Sequence, residues 1–292
     1  MPGTLIYLSN CAISADGRQN PFMMQELPWL MAHFDRVVMV SYYGVRTLMP
    51  GDERGERPFT AVRPGLAGLR ALLKTPFTAD VWRELKHMRR DGALTPGNAL
   101  RLLAFTQRGL KMHYWTERLL RGVVEAHTTL YSCWMSFDGY AAALSKRKHP
   151  RVRCVIRGHA YDVDTERFAK NPYMMKRRIA AEADGLYLIS RTARAQFMSY
   201  MRGHVDERKV HVLAMGSSGM PVDHLREPPL YTQGVLRVVS CAMFNPIKQV
   251  DVLVRALSRW EGGPLCWTHI GGGAEEGPCG RWPPSCWTPR RT

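Results

Sequence analysis

The chain is 292 residues long, 45% hydrophobic and strongly basic, with 41 Lys plus Arg against 25 Asp plus Glu for a formal charge of +16. That length suits two domains or one large one, and no apolar run approaches the roughly 18 residues of a membrane span. Seven single cysteines with no C-x-x-C argue against a disulfide framework or zinc site and for a reducing cytoplasm, while the charge implies an anionic partner: nucleic acid, a phosphorylated small molecule or an anionic membrane surface.

Residues 4–8 (TLIYL) read as a first β-strand; no basic segment precedes them, and the run is too short for a signal peptide. The following loop carries Asp16 and Gly17. It lies at the C-terminal end of a strand, where open α/β sheets bind ligands, and is equally readable as a plain turn. Phe22, Met23, Leu27, Leu30, Met31 and Phe34 fall at helical spacing, and residues 37–40 form a second apolar run. This β-α-β opening is a Rossmann-like half, without a G-x-G-x-x-G fingerprint.

After a Gly/Pro/Glu-rich connection at 50–64, residues 66–125 are helical in character, and their Lys and Arg outnumber their Asp and Glu about two to one. These cationic faces are either solvated surfaces of helices packed on the sheet or a docking face for anionic headgroups, where each cation contributes about 1 kcal/mol. Nucleic-acid binding is the third reading. It is disfavoured, because no helix-turn-helix, zinc finger, ribonucleoprotein signature or aromatic-basic platform accompanies the charge.

Residues 130–135 predict a strand and 138–146 a short helix that runs into Lys146, Arg147 and Lys148. The runs at 153–156 and 185–189 are almost wholly apolar, as expected of strands buried on both faces of a parallel sheet. Each ends in polar residues: Arg157, Gly158 and His159 after the first, Ser190 and Thr192 after the second. Ser190 also opens a predicted helix at 190–201 as a cap candidate, and a third run at 210–213 stops before Gly216. Together these elements predict half of a doubly wound sheet with its functional edge at His159, Ser190 and Gly216.

A Pro/Gly-rich linker at 216–234 separates this part, residues 1–215, from a second β-α-β beginning at 235–273: a strand at 236–242, the loop Asn245-Pro-Ile-Lys248-Gln249, an amphipathic helix at 250–260, a strand at 265–270, then Gly271, Gly272 and Gly273. A lysine at a strand-to-helix turn can meet a phosphate beside helix N-terminal amides, and glycines let backbone approach a nucleotide closely. Cys133, Cys154 and Cys241 lie on predicted strands and read as core. The histidines lack metal-ligand spacing, and no G-x-S-x-G elbow is present.

The segments TTLYSCWMSFDGYAAALSKRK, VIRGHAYDVDTERF and LISRTARAQF resemble bacterial glycosyltransferases of family 4, of the kind that build exopolysaccharides or colanic-acid-like polymers. The resemblance spans residues 130–216 and continues into the Pro-x-Lys and Gly-x-Gly pattern around Lys248. It implies a GT-B-like α/β fold of two Rossmann-like domains with parallel sheets. The implied reaction is retaining transfer of a sugar from a nucleotide-sugar donor to a saccharide or polyprenyl-linked acceptor in surface polysaccharide synthesis. No metal or other cofactor is needed, since cationic side chains and helix N-termini can stabilise the leaving diphosphate.

Carried onto this sequence, the resemblance places His159 nearest the reacting sugar. Asp162 either orients His159, contacts acceptor hydroxyls or caps the following helix. Arg157, Ser190, Asp16 and Gly17 fall on the acceptor side, with Arg157 either functional or simply paired with Asp162 or Asp164. Lys248, Asn245, Gly271 and Gly273 fall on the donor side. The implied location is cytoplasmic, peripheral on the inner face of the plasma membrane. The sequence departs from the family at Met243 and Gln249, where arginine and glycine are usual. After Gly273 the Trp/Pro/Cys/Arg-rich stretch at 274–292 replaces the expected glutamate pair, so the second domain is expected to be cut short. The alternatives are an inactive truncated remnant and a basic binding protein for membrane surfaces or nucleic acid.

Overall fold

The structure is a computed structural model that describes residues 3–10, 21–48, 66–163, 174–216, 231–232 and 234–273. Asp16 and Gly17, Asp164, most of the linker and the stretch 274–292 lie outside the described residues. The chain divides into two compact units, Met1–Ser218 and Gly219–Thr292.

The first unit is built on a seven-stranded sheet. Its strands are β1 (Thr4–Ser9), β2 (Arg36–Ser41), β3 (Gly44–Thr47), β4 (Thr128–Ser132), β5 (Arg153–Gly158), β6 (Gly185–Leu188) and β7 (Val210–Val212). They lie in the order β3-β2-β1-β4-β5-β6-β7. All neighbouring pairs are parallel except β2–β3. The order reverses between β1 and β4, which is the switch point where such sheets open a crevice at their C-terminal ends.

Helices cover the sheet unequally. Leu5, Tyr7, Val37 and Met39 pack on Met23 and Leu27 of α1 (Pro21–His33). Alternate residues of the same strands, Ile6, Leu8 and Val40, join Leu130, Ile156, Leu186 and Leu188 on the other face. There they meet α4 (Pro96–Leu120), α5 (Phe137–Lys148), α7 (Lys176–Glu182) and α8 (Arg191–Tyr200) through Met112, Trp115, Tyr140, Ile179 and Phe197. Burial on both faces is why β1 and β2 are continuous apolar runs. Two further helices, α2 (Leu66–Lys74) and α3 (Ala79–Arg90), precede α4. A four-residue helix, α6 (Ala160–Val163), follows β5. Thr95 caps α4 by accepting the Asn98 N–H at 3.1 Å, with Pro96 in the first turn.

Three boundaries differ from the sequence expectation. The β2–β3 hairpin was not anticipated; its turn is tied by Ser41 Oγ, which accepts the N–H groups of Tyr43 and Gly44 at 3.2 and 3.3 Å. Strand β5 runs on through Arg157 and Gly158. Strand β4 stops at Ser132, so Cys133, Trp134 and Met135 form the turn beyond its end.

The second unit contains β8 (Tyr231–Thr232), β9 (Val235–Cys241) and β10 (Leu265–Ile270) in the order β10-β9-β8, with β9 and β10 parallel. Helix α9 (Val250–Leu257) supplies Val250 and Val254 to a small core with Phe244 and Trp267. Cys241 is exposed rather than core. Its neighbours Ser240 and Ala242 belong to the packed face, and strand alternation turns the thiol outward.

Candidate functional site

The C-terminal edge of the first sheet gathers His159, Asp162 and Arg157, each with a defined set of partners. The His159 ring stacks on Trp134 at a centroid distance of 4.3 Å, and its Nε2 lies 3.1 Å from the Cys133 carbonyl. A carbonyl only accepts, so Nε2 carries the proton and the tautomer is set. Burial lowers the His159 pKa, which keeps the ring neutral at physiological pH.

Asp162 is buried, and its Oδ2 accepts the backbone N–H of His159 at 3.0 Å. This is the bond by which an acidic residue in the first turn of a helix, here α6, reaches back to the residue preceding it; it runs to the main chain of His159 and not to its ring. Its Oδ1 lies 3.6 Å from Nζ of Lys176, and that ammonium also donates to the Met135 carbonyl. Asp138, at the start of α5, shares the same interior; burial first, and then the Asp162 charge, push its carboxyl up to about 7. Burial lowers the Lys176 pKa while Asp162 and Asp138 support its charge. The turn that presents His159 is thus braced from beneath by a buried ionic group.

Arg157 sits on the opposite face of β5 from Ile156. It pairs with Glu26 of α1 rather than with Asp162. Its second terminal nitrogen donates to the carbonyls of Leu213 and Ala214 at 3.3 and 3.2 Å. Glu26 also accepts the Tyr131 hydroxyl at 2.6 Å. Burial raises the Glu26 pKa, against the Tyr131 hydrogen bond and the Arg157 charge, which lower it. A cavity of about 310 Å³ opens above this triad, walled by Trp29 and Leu30 of α1 and by Leu213, Met215 and Gly216. Gly216 therefore does reach the same edge. Ser190 caps α8, its Oγ accepting the Ala193 N–H at 3.0 Å, a contribution of about 1 kcal/mol.

The second unit gathers its own set at the C-terminal ends of β9 and β10. Asn245 Oδ1 accepts the Lys248 N–H at 3.1 Å, so Asn245 caps the single turn Pro246–Lys248. Lys248 is exposed. No carboxylate among the described residues pairs with its ammonium, which leaves the charge available to an anion. Gly271 and Gly273 have φ of 138° and 157°. A Cβ at Gly271 would lie 2.0 Å from the Ala242 carbonyl oxygen, and one at Gly273 2.4 Å from that of Phe244. The glycines thus admit the protein's own backbone, bringing the loops after β9 and β10 together, where Phe244 N–H donates to the Gly272 carbonyl at 3.1 Å.

His269 completes this arrangement. Its Nε2 donates to the Ala242 carbonyl at 2.9 Å, so Nδ1 accepts from the Ser240 hydroxyl at 2.7 Å, which in turn accepts the Trp267 indole N–H at 2.8 Å.

Gln249 stands at the position where the resemblance expects glycine, and its φ of 51° and ψ of 40° are left-handed. A side chain there costs about 1–2 kcal/mol, partly offset by the lower unfolded-state entropy of a non-glycine residue. Gln249→Gly is expected to slow amide exchange in β9 and β10 by about fivefold, on the order of 1 kcal/mol. Unchanged or faster exchange would show that the left-handed turn carries no cost.

No protein-family model matches the sequence, and no curated protein does. Solved structures do. Anabaena HepE, crystallised with UDP and glucose, superposes with a TM-score of 0.57 at 10% identity, covering 99% of this chain and 70% of its own. The UDP-forming α,α-trehalose-phosphate synthase of Burkholderia vietnamiensis gives 0.54 at 14%, covering 100% of this chain and 74% of its own. A trehalose-6-phosphate synthase studied with bisubstrate glycomimetics, as an enzyme of glycosyl transfer with retention, gives 0.51 at 13%, covering 99% and 72%. The fold is GT-B-like. In the GT-B-like frame, both residue sets described above lie at C-terminal strand ends, where this architecture places its ligands.

Lys176, Glu26 and Trp134 were not singled out from the sequence, and His269 was read only as a histidine without metal-ligand spacing. Lys176 belongs to the run Lys176-Arg-Arg178 and Glu26 to α1. Their partners lie 14 and 131 positions away in sequence, so no local pattern connects them.

Proposed function

We propose that this protein is a glycosyltransferase that moves a sugar from a nucleotide-sugar donor to a saccharide acceptor. The observation that carries this reading is the Lys248 turn. An unpaired, exposed ammonium stands at the C-terminal end of a parallel β-strand pair, next to the first amides of α9. A point charge beside a helix N-terminus is an arrangement that suits a diphosphate.

In this reading Lys248 neutralises the leaving diphosphate, with Asn245 holding its turn and Gly271 and Gly273 shaping the neighbouring loop. His159 lies on the acceptor side as a neutral ring whose Nε2 proton is committed to Cys133, and Arg157 and Ser190 support that edge. Retention at the anomeric carbon, a lipid-linked acceptor and a role in surface polysaccharide synthesis follow from the family resemblance; the retaining trehalose-6-phosphate synthase with the same fold supports the first. Charge stabilisation by lysine and helix amides requires no metal.

Titration calorimetry with UDP, GDP and their sugars tests the reading. Saturable binding of at least one nucleotide is expected, weakened about tenfold or more in Lys248→Ala, as befits loss of a hydrogen bond to a charged group. A cooperatively folded chain that binds none of them overturns it.

A further inference from the structure

Helix α2 is amphipathic in the reverse of the usual sense. Its small residues face inward, with Ala71 fully buried on the side packed against α4. Its large ones face out: Leu66 is 85% exposed, Leu73 63%, and Leu69 and Leu72 are similarly exposed. The leucines occupy one continuous arc of the helix at 100° per residue, with Arg70 and Lys74 along one margin. The apolar surface continues past the helix to Phe77, 77% exposed, and to Trp82 on α3. The Trp82 indole N–H donates to the Pro76 carbonyl at 2.9 Å, so its polar edge is satisfied while the ring remains exposed.

Cations border this surface on both sides. A groove of about 760 Å³ beside the leucines is lined by Arg70, Lys74, Arg118, Arg121 and Lys148. Its one acid, Glu117, is paired with Lys148 at 3.2 Å. The outward side of α3 adds Lys86, Arg89 and Arg90. Contiguous exposed apolar surface of this extent marks an interaction site. Leucines alone would suit another protein's groove, and cations alone a nucleic acid. Leucine, phenylalanine and tryptophan rimmed by arginine and lysine match a bilayer surface, where rings and aliphatic chains enter the headgroup–acyl boundary and the cations meet phosphates.

We propose that α2 and the turn into α3 dock on an anionic phospholipid surface, with α2 lying in the plane of the interface. The contact is peripheral: no helix among the described residues is long and apolar enough to cross a membrane. It stands on the exposure and charge of this face and does not depend on the transferase reading.

Flotation of the full chain with vesicles of phosphatidylglycerol and phosphatidylethanolamine, set against pure phosphatidylcholine, tests it. Binding to the anionic vesicles is expected to be at least tenfold tighter and to weaken with salt. Leu69→Ser/Leu73→Ser should reduce it about tenfold or more, and Arg70→Gln/Lys74→Gln about twentyfold, near fivefold per cation. All four side chains are exposed, so both variants should keep the wild-type melting transition; if the leucine variant does not, the Arg70/Lys74 variant still decides. Three results overturn the proposal. They are no flotation, binding insensitive to these substitutions, or a wild-type dimer that the leucine substitutions convert to monomer, which would assign the face to a second copy.

Discussion

Lys176→Met is expected to destabilise the first unit by about 3–5 kcal/mol, measured as a fall in denaturant midpoint at constant slope. Lys176 is 2% exposed, and its ammonium faces Asp162 and the Met135 carbonyl. A methionine of similar length fills the volume but leaves Asp162 charged without a counter-ion, beside an Asp138 whose carboxyl burial has already pushed up to about 7. A buried ion pair compared with an apolar pair is often near neutral, whereas a half-pair is costly. Lys176→Met/Asp162→Asn should therefore recover much of the loss. A cost below about 1 kcal/mol for the single change would mean that the pair is solvated and does not brace the His159 turn.

The second large effect is expected at Arg157. Arg157→Met should cost about 2–4 kcal/mol, somewhat less than a fully enclosed pair because the Glu26 side chain remains 15% accessible. Two consequences separate this from a residue that only touches ligand. The carbonyls of Leu213 and Ala214 lose their donor, so amide exchange in the segment after β7 should quicken more than in β1 or β2. Glu26→Gln combined with Arg157→Met should recover part of the stability, since the remaining amide can still accept the Tyr131 hydroxyl without an unpaired charge, while the Leu213 and Ala214 carbonyls stay without their donor. An Arg157 that served ligand alone would leave the melting transition unchanged.

The strands were legible because they are buried. Runs such as Leu5-Ile-Tyr-Leu8 and Val37-Val-Met-Val40 are apolar at every position, which requires cover on both faces. The Ser190 cap was legible because its side chain acts within three residues; the equally local cap at Asn245 was not read from the sequence. The β2–β3 hairpin escaped because its turn depends on Ser41 accepting two N–H groups, not on a Gly or Pro signal. Gly271 and Gly273 were expected to let backbone approach a nucleotide; the close approach in the structure is to the carbonyls of Ala242 and Phe244, which depends on how β9 and β10 lie together.

What this sequence determines alone is therefore periodic and local: the β-α-β order, the parallel sheets, the cationic helices and the position of polar residues at strand ends. Each follows from hydrophobic period or from side chains bonding their near neighbours. Only the tertiary structure decided that Arg157 is matched to Glu26, that Asp162 faces Lys176, and that α2 turns its leucines outward. Those outcomes are set by charges and small residues meeting across long stretches of chain. Burial makes each such meeting energetically decisive, while sequence spacing carries no trace of it.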